Sequence, residues 1–145
     1  MRESACFFFM RIHARENQGL ADSNILKSNN PAYKSSNIAC DLLNTQNVIF
    51  FGHSLNQMDF GYFERYFRLL ESNKDPERTL TIITKDEISR IELLDNIRRM
   101  DISVRDIFAH VKVDFLLTDL LNKGDKDEQK RFNVILEQLQ NMTLY

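Results

Sequence analysis

Glycine and proline are scarce in this 145-residue chain, with 4 and 2 copies where average usage of about 7% and 5% gives roughly ten and seven. An all-β fold needs both in its many tight turns, so the scarcity disfavours that class. Cysteine is sparse as well. Cys6 and Cys40 lie far apart and outside any C-x-x-C arrangement, which indicates neither a disulfide framework nor a thiolate metal site. A reducing, cytoplasmic compartment is the expectation. Residues 5–10 form the longest apolar run, far short of the about 20 residues that a membrane-spanning helix needs. Glu3 precedes that run and no small-residue cleavage pattern follows, so it does not read as a secretion signal. Neither charge sign dominates: 19 basic against 21 acidic residues leave −2, too little to steer the chain toward nucleic acid or anionic lipid. His13, His53 and His110 lack ligand spacing, so no metal site is expected.

What remains is ordinary globular composition, 43% hydrophobic and 28% charged, in a chain the size of one domain. Phe7, Phe8 and Phe9 read as a short buried strand. Residues 14–37 shift to Asn, Ser, Lys and Ala around Pro31 and read as a long polar loop. Ile38 and Leu42 share a face, with Ala39 and Leu43 beside it, in a short helix over 38–43. The core of the pattern spans 47–100. Val48, Ile49, Phe50 and Phe51 make a continuous run that suits a strand buried on both faces of a parallel sheet. After Gly52 the period changes, and Phe60, Phe63, Phe67 and Leu70 fall on one helical stripe. Leu80, Thr81, Ile82 and Ile83 make the next strand, and Thr84 with Glu87 has capping-box spacing before a helix running to about Met100. Strand, helix, strand, helix predicts β-α-β-α construction, with 48–51 and 80–83 as adjacent parallel strands. In the closing 101–145 segment Val111, Val113 and Phe115 alternate as a strand, and Phe132, Ile135, Leu136 and Leu139 mark a helix after Gly124.

The segment with chemistry in it is Gly52-His53-Ser54-Leu55, followed by Asn56 and Asp59. It sits at the carboxyl end of a strand, where open α/β sheets bind ligands. Gly52 permits a sharp turn and a close approach to a ligand. His53 and Ser54 would point polar atoms into the crevice, and Leu55 would anchor the turn in the core. Asp59 would cap the following helix or accept sugar hydroxyls, and His53 and Asp59 are the candidate catalytic groups. Against this stands a plainer reading of Ser54, Asn56 and Asp59 as turn and cap residues. Gly52-x-Ser54 is also half of a nucleophile elbow, which Asp86 or Asp101 with His110 would complete as a serine hydrolase. Asn56 in place of the second glycine and the few strands before residue 48 argue against it. Arg90, Arg98 and Arg105 sit among Glu87, Glu92, Asp95 and Asp106, which reads as a solvated helix surface rather than a nucleic-acid stripe.

Residues 48–63, VIFFGHSLNQMDFGYF, resemble the GHSL signature of the bacteriophage abortive-infection family AbiH, and 80–91 resemble that family's next strand and helix. The resemblance implies part of a parallel-sheet, Rossmann-type (sirtuin-like) α/β domain with a nucleotide crevice at the GHSL turn. By position it implies that Gly52, His53, Ser54 and Asp59 line that crevice, and that Thr84 and Asp86 meet ribose hydroxyls. It further implies a phage-defence protein acting on NAD or a related nucleotide. The family's glycine-rich phosphate loop has no counterpart here, since the first glycine is Gly19. The chain therefore reads as the C-terminal portion of such a protein, its sheet incomplete on the N-terminal side. An incomplete sheet leads to an expectation of self-association. The alternative function is a non-catalytic interaction or sensor module.

Overall fold

The computed structural model describes residues 5–9, 36–52 and 54–142. It contains four parallel strands in sequential order: β1 (Ala5–Phe9), β2 (Asn47–Phe51), β3 (Thr79–Thr84) and β4 (Lys112–Leu117). Helices α1 (Ser36–Asn44), α2 (Phe60–Ser72), α3 (Glu87–Arg99) and α4 (Val104–His110) lie between the strands, and α5 (Thr118–Asn122) and α6 (Lys126–Met142) follow them. The fold class is α/β. The expected pairing of 48–51 with 80–83 is present and parallel, with Val48 beside Leu80 and Phe50 beside Ile82.

Register explains where the core sits. Val48, Leu80 and Val113 are lateral neighbours, as are Phe50, Ile82 and Phe115, so their side chains share one sheet face. Against that face pack Leu42 of α1, Phe63, Tyr66, Phe67 and Leu70 of α2, Leu93 and Ile97 of α3, and Ile107 of α4. Phe50 is the hub, edge-on to Phe63 at 5.3 Å and stacked on Phe67 at 5.8 Å. Tyr66 is buried with its hydroxyl unpartnered among the described residues, and burial pushes its phenol well above the usual range. The opposite face carries a smaller cluster, in which Ile83 and Leu116 meet Ile135 and Phe132 of α6.

Several expectations need correction. Among the described residues β2 is not buried on both faces: Val48 and Phe50 are fully covered, Ile49 is half-buried and Phe51 is 38% exposed. The reason is that α6 seats over β3 and β4, leaving the far face of β2 less covered. The helix expected at 38–43 begins at Ser36, so 36–37 belong to it, while 14–35 lie outside the described residues. The capping-box reading of Thr84 and Glu87 fails. Thr84 ends β3, and Asp86 caps α3 by accepting from the Ser89 backbone N–H at 2.8 Å. Helix α4 was not expected, although Ser103 caps it through Asp106 N–H at 3.3 Å, the spacing that marks a helix start. The closing helix starts at Lys126, two residues past Gly124, whose φ of +80° ends α5.

The GHSL turn and the β4 edge as a candidate functional site

The GHSL turn leaves the carboxyl end of β2 by two left-handed residues. Gly52 has φ +63°, and its N–H donates to Ile83 O at 2.9 Å, which holds the start of the turn against β3. A Cβ at Gly52 would meet no atom within 4 Å, so backbone conformation rather than crowding is what requires glycine there. Leu55 has φ +51° and is fully buried, the core anchor expected of it. Asn56 then accepts from Met58 N–H at 3.0 Å and starts a single 3₁₀ turn, Gln57–Asp59, that leads into α2. Asn96 of α3 donates to the Ser54 carbonyl at 2.8 Å, so the turn is tied to the helix that follows the next strand.

The candidate residues do not all fare alike. Gly52 and Ser54 are exposed, with Gly52 held against the end of β3, where Thr84 is the strand's last residue and Asp86 lies two residues on. Thr84 is buried, however, and its hydroxyl donates weakly to Asp86 O at 3.4 Å. Asp86 Oδ1 accepts both the backbone N–H and the hydroxyl of Ser89, at 2.8 Å each. Those bonds, the backbone one first, hold its carboxyl below the usual carboxylate range. Asp59 departs most from expectation. Its side chain is not turned outward: it is 4% exposed and makes no cap hydrogen bond to α2. It is the buried residue of the 3₁₀ turn, as Leu55 is of the segment before it. His53 lies outside the described residues.

The sheet's direction does not bring Ser54 and His110 together as the expected triad would need. Ser54 follows the carboxyl end of β2, whereas His110 precedes the amino end of β4, and the register Asn47–Thr79–Lys112 puts those ends apart. His110 Nδ1 instead lies 2.5 Å from the Glu71 carbonyl. Among the described residues no group of three or more His, Cys, Asp or Glu is placed to hold a metal ion, and no helix is long and apolar enough to cross a membrane.

A second feature escaped the sequence reading. An open groove of about 320 Å³ runs along β4, lined by Val113, Phe115, Arg90, Glu128 and Arg131 among others. Arg90 pairs with Glu87 and lies over the Phe115 ring, 5.2 Å from its centroid. Glu128, 5% exposed, accepts the Leu117 N–H at 2.7 Å, while Arg131 donates to the Phe115 carbonyl at 2.7 Å. The two side chains are themselves paired at 3.0 Å. Together they supply β4 with the acceptor and donor that a neighbouring strand would otherwise provide. The only sequence signal was a Glu and an Arg three residues apart on α6, a common surface pair. Compared with protein-family models, with curated proteins and with solved structures, the chain matches none.

Proposed function

We propose that this chain is an AbiH-type phage-defence module that binds a nucleotide, NAD or a relative, at the carboxyl ends of β2 and β3. The observation that carries the reading is the left-handed Gly52 turn placed where parallel α/β sheets hold ligands, with exposed Ser54 following β2 and Asp86 following the adjacent β3. Nothing in the turn depends on a side chain at Gly52, which leaves the backbone open to close approach. In this reading Asp86 accepts a ribose hydroxyl, Ser54 donates to a phosphate or sugar oxygen, and Leu55 holds the turn in place. Asp59, being buried, positions the turn rather than touching ligand.

Titration with NAD, followed by amide chemical shifts, tests this. The expected result is saturable movement of the Gly52, Ser54, Lys85 and Glu87 amides, weakened tenfold or more by Ser54→Ala with Asp86→Asn. No movement at millimolar NAD, or unchanged affinity in the double variant, would count against the site.

A second reading, a non-catalytic interaction module, is favoured by two observations. The start of α3 is acidic, with Asp86 as its N-cap and Glu87 in its first turn, which disfavours phosphate at that helix end. The sequential strand order also contains no reversal among the described strands, and such reversals are where open sheets bind dinucleotides. Failure of NAD, ADP-ribose and ATP alike in the same titration would favour this second reading.

A further inference from the structure

The free edge of β4 has a self-complementary pattern, and we infer that two copies of this chain pair antiparallel through it. Because Leu117 N–H donates to Glu128, it points away from β3, and residues of the same parity along β4 share that direction. Val113 N–H, Val113 C=O and Phe115 N–H therefore face the free edge, and no described residue bonds to them. Val111, extended at φ −131° and ψ 142°, directs its carbonyl the same way.

A twofold axis through Val113 places it opposite Val113 of a second copy, where residues facing each other exchange both backbone bonds. The next outward pair is Phe115 opposite Val111, and the free groups match there as well. Phe115 N–H meets the Val111 carbonyl. The two groups that would be left over are already satisfied within each chain: the Phe115 carbonyl by Arg131, and Val111 N–H by Ile107 O at 2.9 Å. The α6 clamp begins where the second copy's strand ends, so it limits the pairing without blocking it.

Charge selects the occupant. Lys112 and Asp114 flank Val113 on the opposite sheet face and lie 3.8 Å apart at their charged ends. Antiparallel pairing about Val113 sets Lys112 of each copy directly across from Asp114 of the other, at cross-strand contact distance. A foreign strand without that alternation would meet an unmatched charge on each side of Val113. The groove along β4 gives the second strand room, with Val113 and Phe115 presented for apolar contact on the helix-covered face.

Sedimentation of the full chain, over about 1 μM to about 1 mM, the range suited to small interfaces, tests the proposal. A reversible species of twice 17.1 kDa is expected. Lys112→Glu alone and Asp114→Lys alone should each be monomeric, because each sets like charges opposite one another. Mixed one to one, the two variants should associate. In the mixed pair the two introduced charges, of opposite sign, face each other, and the unchanged Asp114 of one variant faces the unchanged Lys112 of the other. Val113→Pro, which removes an outward N–H without touching the β3 ladder, should stay folded and monomeric. A wild-type monomer throughout, a dimer that survives these substitutions, or failure of the mixed pair to associate would each overturn it.

Discussion

The turn that carries the candidate site contains a buried leucine in a conformation that favours glycine, and this makes a quantitative expectation. Leu55 is fully buried, so Leu55→Ala should cost about 2–5 kcal/mol in lost burial and residual cavity. Leu55→Gly removes one more carbon and loosens the unfolded chain, which ordinarily costs a further 0.5–1 kcal/mol or so. At φ +51° the balance reverses, because a side chain in the left-handed region carries about 1–2 kcal/mol of strain that glycine relieves. The glycine variant should therefore equal the alanine variant or exceed it by roughly 0.5–1 kcal/mol. Leu42, equally buried but in α1, is the control, where glycine should be worse than alanine by about 1 kcal/mol. Urea unfolding of the four variants measures both differences, provided the slope m is unchanged. If Leu55→Gly falls below Leu55→Ala by as much as at Leu42, the left-handed anchor is not what shapes this turn.

Glu128→Ala should destabilise the fold by about 2–3 kcal/mol, because it leaves Leu117 N–H without its charged acceptor and Arg131 without its partner. Hydrogen exchange at the Leu117 amide should accelerate with it, and Glu128→Gln, which keeps an acceptor, should lose less. Asp86 has a folded-state pKa below its unfolded value, so its stabilising contribution is present above that value and is lost as pH falls through the folded pKa. Stability of wild type relative to Asp86→Asn should be greatest near neutrality and shrink below about pH 3.9, as read by urea unfolding at pH 7 and pH 3.

Periodicity made the centre of the fold legible. The stripe Phe63, Phe67 and Leu70 could pack only as a helix, and the β-branched run at 80–83 only as a strand. Where two polar residues competed for one role, sequence was a poor guide. Thr84 and Asp86 both precede α3, and only the length of β3 decides that the aspartate is the cap. Burial of Asp59 was illegible for a related reason: the 3₁₀ turn that holds it follows two left-handed residues, one of them a leucine that gives no warning of it. Helix α4 hid because its seven residues offer just Val104 and Ile107 to the core. The edge clamp joins a helix side chain to a strand backbone 11 residues away, a pairing that no periodicity encodes.

The sequential strand order has a consequence for how the molecule is made. Each strand pairs with the one synthesised just before it, and the connections 52–78 and 85–111 have the same length, 27 residues. The sheet can thus lengthen in the order in which the ribosome delivers it, each strand docking on an edge already formed. Helix α6 emerges after all four strands, and with it come Glu128 and Arg131. Until then the whole outer edge of β4 stands open to any passing strand, and this interval is when a nascent chain is most exposed to wrong pairing. Glu128 and Arg131 then cover only its carboxyl-terminal end, at the Leu117 amide and the Phe115 carbonyl, and the stretch around Val113 stays open.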